Sequence, residues 1–445
     1  MSLESTASSA VAAPTRAFPR FGVKATRRAT VLALFAWMFA VYDYILFGTM
    51  LPEISKTFGW TEATASLVST LVSVSTAIVA FAVGPITDRI GRRRGMMLTV
   101  AGTAVASAAS AATPGIGYLV GVRAFGGLGL SEQAVNATYL NEVYAVTEDE
   151  AIRKRRGLVY SLVQGGWPLG VLLASAFVAI FLPLVGWRGC FLIAVFPAVA
   201  IVLLRRGLKE TPQFELELEL RKLRKEGKVA EADSLAAEYG VAKQESGGFA
   251  AIFRGKALRN TVVLGLAWIV NWFGIQVFSV LGTTVLTEGK GVSFTGSLVM
   301  LIVINAVGYV GYVFHGWFGD RIGRRNAIGI GWMISGVVFA LTLTVAHGTF
   351  AVVALYSIGM FFLIGPYAAL LFYMGECYET RCRATGVAFL NALSQPGAIV
   401  AGIIVTSMLA AGHSWNQAAL IVGALGIVVS GVLMFAARTA ETLKG

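Results

Sequence analysis

Long apolar runs alternate with short polar segments along most of the chain. A bilayer core about 30 Å thick needs roughly 20 apolar residues per helix, because an α-helix rises about 1.5 Å per residue. The pattern predicts an all-α polytopic membrane protein with twelve membrane-spanning helices. The predicted spans are residues 30–51, 62–84, 95–113, 116–140, 157–182, 188–205, 258–284, 295–315, 327–346, 350–374, 384–410 and 416–437.

The remaining polar segments divide the chain into five parts. These are a disordered cytoplasmic arm (1–29), a six-helix bundle (30–205), a cytoplasmic linker (206–257), a second six-helix bundle (258–437) and a cytoplasmic tail (438–445). In the linker, Leu216, Leu220 and Leu223 fall on one helical face, which predicts a helix lying against the cytoplasmic surface. This linker is interpreted either as a latch that couples the bundles or as a solvated connection.

Composition and charge agree with a membrane protein. Hydrophobic residues make up 56% of the 445 residues and charged residues 13%, whereas soluble domains carry about 25% charged residues. The net charge of +12 reflects topology, because nearly all Lys and Arg lie in the arm, alternate loops, the linker and the tail. Lys56, Arg188 and Lys290 are the exceptions expected in outer loops, and Arg123 is expected within a span. The positive-inside rule then predicts cytoplasmic termini, in a bacterial inner (plasma) membrane.

A charged, glycine-rich segment between two apolar runs occurs twice. It reads GPITDRIGRR at residues 84–93 and GWFGDRIGRR at residues 316–325, an offset of 232 residues. A shared spelling at one offset indicates an internal duplication. Both copies are predicted to form a cytoplasmic gate, whose residues here are Gly84, Asp88, Arg89, Arg92, Gly316, Asp320 and Arg321.

Two glutamates repeat with a similar offset. Glu142 and Glu376 are 234 residues apart, and each is followed by basic residues, which in the second copy include Arg383. Glu210 and Glu441 are 231 residues apart and follow the sixth and twelfth predicted spans. These carboxylates are interpreted as links between helix ends at the gate, to which Glu142, Glu376 and Arg383 then belong. The alternative is a set of independent charges at the membrane boundary.

The duplicated motif resembles the signature of the major facilitator superfamily, which lies between the second and third helices and whose halves each hold six helices. The Glu-to-Arg elements and Glu210-Thr211-Pro212 resemble those of its sugar-porter branch. The segment GLSEQAVNATY at residues 129–139 resembles the equivalent segment of organic-acid, sialic-acid and aromatic-acid proton symporters. The resemblance implies a secondary transporter that works by alternating access.

Several other classes of function are excluded by what the chain lacks. It has no phosphate-binding loop of the form GxxxxGK[ST], so any transport is expected to draw on a gradient rather than on ATP. Cys190, Cys377 and Cys382 form no metal-spaced set. An enzyme, a cofactor, a metal site and a nucleic-acid partner are therefore not expected. The expected partners are a small-molecule substrate, protons and the lipid bilayer, and the protein is expected to be a monomer.

Three charged residues lie inside predicted spans of the first half, away from the span ends, where a buried charge is costly enough to indicate function. Asp43 is predicted to carry the proton, with a structural ion pair as the alternative. Arg123 stays protonated and is expected either to neutralise Asp43 or to bind an anionic substrate. Glu132 follows Arg123 by about 13 Å on the opposite side of the same helix, so it is expected to face the first or second helix and to join in proton coupling.

Polar and aromatic side chains within the spans are candidates for the substrate site, because neutral amides and rings hold a small polar molecule by hydrogen bonds and stacking. Helix packing is the alternative for each of them. The candidates are Tyr42, Tyr44, Arg123, Gln133, Asn136, Gln164, Trp167, Trp268, Asn271, Trp272, Gln276, Asn305, Tyr309, Asn391 and Gln395.

The sequence as a whole predicts proton-coupled symport of a small organic anion, a carboxylate. Arg123 and the resemblance of the fourth predicted span favour this substrate class. A neutral sugar is the first alternative, suggested by the amides and aromatic residues. A betaine-type solute is the second, because Asp43, Glu132 and several Trp could surround a cation.

Overall fold

The computed structural model describes residues 16–240, 249–378 and 383–437, and this part of the chain is α-helical. The helices of the first half and the linker are α1 Val23–Phe58, α2 Glu62–Ile90, α3 Arg92–Ala111, α4 Ile116–Ala124, α5 Gly126–Leu130, α6 Glu132–Ala145, α7 Glu150–Lys154, α8 Arg156–Gln164, α9 Gly166–Ile193, α10 Val195–Arg205, α11 Pro212–Lys225 and α12 Val229–Glu238.

The second half has the same character, with short π-helical turns at Ile275–Val280, Val285–Gly289 and Ala419–Ala424. Its α-helices are α13 Gly255–Gly274, α14 Gly282–Thr284, α15 Phe294–Ile322, α16 Arg324–Thr344, α17 Thr349–Ile364, α18 Tyr367–Glu376, α19 Arg383–Ala392, α20 Ser394–Ala410, α21 Trp415–Ala418 and α22 Leu425–Met434. The predicted tail, residues 1–15 of the arm, and the side chains of Asp88, Asp320 and Arg383 lie outside the described residues.

Nine helical segments within the described residues are long and apolar enough to cross a membrane. They are Val23–Phe58, Glu62–Thr87, Val159–Arg205, Ala257–Val280, Phe294–Gly319, Arg324–Thr344, Gly348–Leu370, Thr385–Ala410 and Trp415–Met434. The segment Val159–Arg205 covers two predicted spans, with Gly186 at a φ of 66° between them. The predicted third span is the less apolar helix α3, and the predicted fourth is divided among α4, α5 and α6.

The two halves of the chain pack closely at the end of the molecule that lies away from the duplicated motif. A Cβ atom on Gly48 in α1 would lie 2.4 Å from the carbonyl oxygen of Val280. A Cβ atom on Gly402 in α20 would lie 2.4 Å from the hydroxyl oxygen of Thr70 in α2. Since neither glycine carries a side chain, the backbone of Val280 and the side chain of Thr70 approach closely enough to close this end.

The described part of the linker is a helical hairpin formed by α11 and α12. Leu216 and Leu220 are buried against Ala232 and Ala236, on the face that the leucine spacing predicts. The hairpin contacts the first half of the chain, where the Arg92 guanidinium lies 5.2 Å from the ring centre of Phe214 in α11. Its position ties the linker to the motif of the first half.

The end of the arm is ordered in a way that the sequence does not predict. α1 begins at Val23, before the predicted start of the first span, and the preceding backbone pairs with the segment after α6. The amide of Phe21 donates to Val146, and the amide of Glu148 donates to Phe21. These hydrogen bonds give the polar backbone of this segment a partner.

Replacing Gly127 by Ala should destabilise the first half of the protein. A Cβ atom there would lie 2.2 Å from the carbonyl oxygen of Thr76, and overpacking of this kind costs about 1–3 kcal/mol. We expect an apparent melting temperature in detergent lower than that of the unmodified protein by about 2–6 °C. The matched control is Gly121→Ala in α4, where no atom lies within 4 Å of the new Cβ. Equal melting temperatures for the two variants would contradict the close α2–α5 contact.

Candidate functional site

A cavity of about 410 Å³ lies between helices of the two halves of the chain. It extends from Thr87 and Arg92 at the first copy of the motif to Trp167 and Trp272 in the interior. Its polar and aromatic lining residues are Trp37, Thr87, Arg92, Ser131, Gln133, Thr138, Gln164, Trp167, Trp268, Trp272, Tyr312, Tyr367, Asn391, Ser394 and Gln395. Because the opposite end is closed, the cavity is reached from the motif end.

Aromatic rings form the inner wall of this cavity across both halves. The ring centres of Trp167 and Trp272 lie 6.0 Å apart, and those of Trp268 and Trp272 lie 6.1 Å apart. The indole Nε1 atoms of Trp37, Trp268 and Trp272 are buried and have no hydrogen-bond partner among the described residues. Leaving a buried donor unpaired costs about 1–3 kcal/mol, so a ligand that reached these N–H groups would be stabilised by pairing with them.

Amide side chains add further hydrogen-bonding groups to the wall. Gln133 donates to the Gln164 carbonyl at 2.7 Å, and Gln164 donates to the Tyr160 hydroxyl at 2.6 Å. The side-chain oxygen of Gln395 is buried and has no partner within the described part of the chain. The cavity therefore offers neutral hydrogen-bond donors and acceptors at several positions along its wall. Arg92 is the one charged residue among its described lining residues.

Asp43 and Arg123 form a buried ion pair between α1 and α4. Arg123 Nη1 lies 3.2 Å from Asp43 Oδ2, and Nη2 donates to the Asp43 backbone carbonyl at 3.0 Å. Ser107 in α3 donates to the other carboxylate oxygen. The side chains are only 2% and 6% exposed, for Arg123 and Asp43 respectively, and neither residue lines the large cavity. The sequence-predicted pair thus exists, but it points away from the space where a substrate would bind.

Glu132 forms a second buried ion pair, with a partner that the sequence does not predict. Instead of facing α1 or α2, its carboxylate lies 2.5 Å from Arg205 Nη2 at the end of α10, and Thr99 donates to its other oxygen. Arg205 also donates to Asn136 and to the Met96 carbonyl, at 2.8 Å and 2.9 Å. The side chains of Glu132 and Arg205 are 0% and 1% exposed. Arg123 is therefore not the only arginine buried in the interior. The sequence feature that could have indicated Arg205 is its position as the last residue of an apolar span.

Seven of the predicted substrate contacts line the cavity. They are Gln133, Gln164, Trp167, Trp268, Trp272, Asn391 and Gln395. Sequence reasoning missed Trp37 and Tyr312, which also line it. Tyr312 could have been found from the sequence, because it lies about one helical turn after the predicted contact Tyr309. The two tyrosines lie on neighbouring faces of one helix, and only Tyr312 lines the cavity.

The other eight predicted contacts are not part of the cavity wall. They are Tyr42, Tyr44, Arg123, Asn136, Asn271, Gln276, Asn305 and Tyr309. Asn271 instead accepts a hydrogen bond of 2.5 Å from Tyr367, which does line the cavity, and Asn305 donates to Leu301 of its own helix at 2.9 Å. Gln276 points to Ser69 across the closed end at 3.5 Å. These polar groups serve packing or support the wall.

The duplicated motif carries the same ion pair in each half. Arg92 Nε lies 3.2 Å from Glu142 Oε1, and Arg324 pairs with Glu376 in the second copy. The sequence associates each glutamate with basic residues that follow it, whereas the structure pairs each with an arginine of the motif. Glu210 adds a further link, since its carboxylate accepts the backbone N–H of Arg93 at the start of α3 at 3.1 Å. Desolvation raises the pKa of this Glu210 carboxyl.

Comparison with known proteins places this geometry in context. The chain is 25% identical to the niacin transporter of Acinetobacter baylyi, over 89% of this chain and 90% of that one. It is 26% identical to the gentisate transporter of Corynebacterium glutamicum, over 89% and 83%. It is 27% identical to the 4-hydroxybenzoate transporter of Pseudomonas putida, over 89% and 90%.

A solved structure gives the same fold. The crystal structure of a D-xylose-proton symporter matches with a TM-score of 0.67 at 17% identity, covering 93% of this chain and 98% of that one. The family model described as Major Facilitator Superfamily matches residues 32–314, which is more than half of the chain. The helical architecture, the duplicated motif and this match together show that the chain belongs to the major facilitator superfamily.

Proposed function

We propose that this chain is a proton-coupled symporter that carries an aromatic carboxylate by alternating access. The relatives described above are named as transporters of niacin, gentisate and 4-hydroxybenzoate, all of which are aromatic acids. The observation that carries the proposal is the aromatic cavity wall, in which the indole N–H groups of Trp37, Trp268 and Trp272 have no partner among the described residues. Membership of the major facilitator superfamily supports a transporter rather than an enzyme.

The proposal includes twelve spans in two six-helix bundles. Nine apolar segments are described, one of which, Val159–Arg205, contains a pair of spans divided at Gly186. The 20-residue helix α3 and the broken segment α4–α6 supply the remaining two. The basic residues of both motifs and of the linker then lie on one side, which supports cytoplasmic termini in a bacterial inner membrane. A monomer remains part of the proposal.

An aromatic carboxylate fits the chemistry of the cavity. Its ring would stack on Trp167, Trp268 or Trp272, and its carboxylate would accept hydrogen bonds from the free indole N–H groups. Arg123 is not needed as a direct ligand, because in this conformation its guanidinium is engaged by Asp43.

Asp43 is proposed to be the proton carrier. A buried charge pair is stable only while each partner neutralises the other, so protonation of Asp43 frees Arg123 in a dry environment. The resulting imbalance favours a rearrangement of α1 against α4. The ion pairs of Arg92 with Glu142 and of Arg324 with Glu376 hold the helix ends of each half while the motif end closes and opens.

A neutral sugar is the second candidate substrate. Four amides, Gln133, Gln164, Asn391 and Gln395, line the cavity and could bind hydroxyl groups. A betaine-type cation is disfavoured, because no carboxylate is among the described lining residues. Uptake into proteoliposomes of nicotinate, gentisate, 4-hydroxybenzoate and xylose, with and without an inward proton gradient, tests the proposal. Uptake of xylose but of none of the acids would overturn it.

Trp272→Phe should weaken substrate binding while leaving the aromatic surface in place. The variant removes one indole N–H, and a hydrogen bond to a charged group contributes about 1.5–3 kcal/mol. We expect the KM for the transported acid to rise about ten-fold or more, measured as initial uptake rate against concentration. The control Trp60→Phe alters a partly buried residue between α1 and α2 outside the cavity and should keep the original KM. An unchanged KM in Trp272→Phe would remove this indole from the site.

Asp43→Asn should separate substrate movement from proton movement. An amide keeps the shape of the carboxylate but cannot take up the proton, so uphill accumulation driven by a pH gradient should be lost. Counterflow exchange of labelled substrate between equal concentrations should continue, because it needs no net proton transfer. If Asp43→Asn accumulates substrate as the unmodified protein does, Asp43 is not the proton carrier.

A further inference from the structure

A second, much smaller cavity lies beside Asp43, on the side away from the substrate cavity. Its volume is about 10 Å³, and its walls come from α1, α3 and α10 together with Ala194. Three of its lining residues carry polar groups, Tyr42, Asp43 and Thr103. None of the three lines the large cavity. The carboxylate therefore faces a separate polar space within the first half.

This space has the properties of a site for one water molecule. A buried water needs a cavity of roughly 10–15 Å³ and two to four polar partners. The Tyr42 hydroxyl is buried, with the residue only 2% exposed, and it has no hydrogen-bond partner within the described part of the chain. With the Asp43 carboxylate and the Thr103 hydroxyl, it supplies three partners.

The hydroxyl groups of α3 continue from this space toward the motif. Thr99, Thr103 and Ser107 are spaced four residues apart, so they share one face of the helix. All three are buried, at 4% exposure or less. Ser107 donates to Asp43 at one end, and Thr99 donates to Glu132 at the other. Thr103 lies between them and donates its own hydroxyl hydrogen to the Thr99 backbone carbonyl at 2.9 Å, so the row places one hydroxyl per helical turn between two carboxylates of different helices.

The far end of this row is the ion pair of Glu132 with Arg205. Glu132 Oε1 lies 2.5 Å from Arg205 Nη2, whereas Arg205 Nε has no hydrogen-bond partner among the described residues, although the two side chains are almost fully buried. The pair lies nearer the motif end than Asp43, because α3 begins at the motif with Arg92 and α10 ends at Arg205. A carboxylate in this position can receive a proton that Asp43 releases.

We propose that protons pass from Asp43 through the α3 hydroxyl row to Glu132, nearer the motif end, and not through the substrate cavity. This inference rests on the proposed function, in which Asp43 is the proton carrier. The groups around the start of the path are Arg123 and Ser107, which bond Asp43, and Tyr42, Tyr44 and Cys190 nearby. At the end of the path Glu132 faces Arg205.

Each transfer conserves protons. The Asp43 carboxyl gives its proton to the water, which passes one of its own to Thr103 as Thr103 releases its hydroxyl proton. The Thr103 hydroxyl, which rests on the Thr99 backbone carbonyl, lies one helical turn or about 6 Å from the Thr99 hydroxyl, so the proposal requires a second water to bridge these two hydroxyls. Thr99 then passes its hydroxyl proton to Glu132 along the hydrogen bond already present. Every water and hydroxyl ends with the protons it began with, and no electron moves.

The test compares Thr103→Val with Thr103→Ser. Valine keeps the volume of threonine but removes the hydroxyl, whereas serine keeps the hydroxyl. Proton entry would be followed with a pyranine-loaded proteoliposome after addition of nicotinate, gentisate or 4-hydroxybenzoate under an inward pH gradient. We expect Thr103→Val and Thr99→Val to slow proton entry at least about ten-fold, Thr103→Ser to restore it, and counterflow of the same acids to stay unchanged.

Two control variants test whether slower proton entry comes from loss of the path. One controls for removing any buried hydroxyl from α3, and the other controls for replacing any buried Thr by Val. Ser110→Ala removes a buried hydroxyl of the same helix that bonds only its own turn at Ala106, and Thr342→Val does so in α16. Both should keep the original rate of proton entry. If Asp43→Asn retains proton entry, the proposed function fails. If Asp43→Asn loses it while Thr103→Val and Thr99→Val transport protons at the original rate, the path alone is overturned.

Discussion

The buried pair of Asp43 and Arg123 is the interaction on which the organisation of the first half depends. Each charge would be too costly alone in a dry interior, and the pair is tolerable only because Arg123 also bonds the backbone and Ser107 bonds the carboxylate. A site of this kind has two states. When Asp43 takes up a proton, its carboxyl group loses its charge and no longer neutralises Arg123. Such a pair can therefore link a proton gradient to a change of shape.

The structure keeps this charged pair apart from the large cavity in which we propose that the substrate binds. The large cavity is lined by tryptophans, tyrosines and amides, while the ion pairs of Asp43 and of Glu132 lie behind it among the helices of the first half. Neutral hydrogen-bond donors hold an anion without needing a counter-ion that would also have to be desolvated. Substrate and proton can then be handled by different surfaces of the same helices.

The closed end and the open end of the molecule use different chemistry. At the closed end, Gly48 allows contact with the Val280 backbone and Gly402 with the Thr70 side chain, and Ser66 bonds Thr406 across the halves at 2.9 Å. At the open end, arginine–glutamate pairs hold the helix ends within each half. Contacts without charge separate at low electrostatic cost, whereas charged pairs in contact with water change with their surroundings. This difference suits a protein whose two ends open in turn.

The sequence by itself determined the helical membrane character, the duplication and the residues that carry charge, because hydropathy, spacing and the repeated motif are local properties of the chain. It also indicated that Asp43 and Arg123 belong together, since two buried charges of opposite sign need each other. Only the tertiary structure decided that Glu132 pairs with Arg205, that Trp37 and Tyr312 line the cavity, and that Asn271 supports Tyr367. Helical periodicity gives the face of one helix, but the neighbour of that face depends on how all the helices pack.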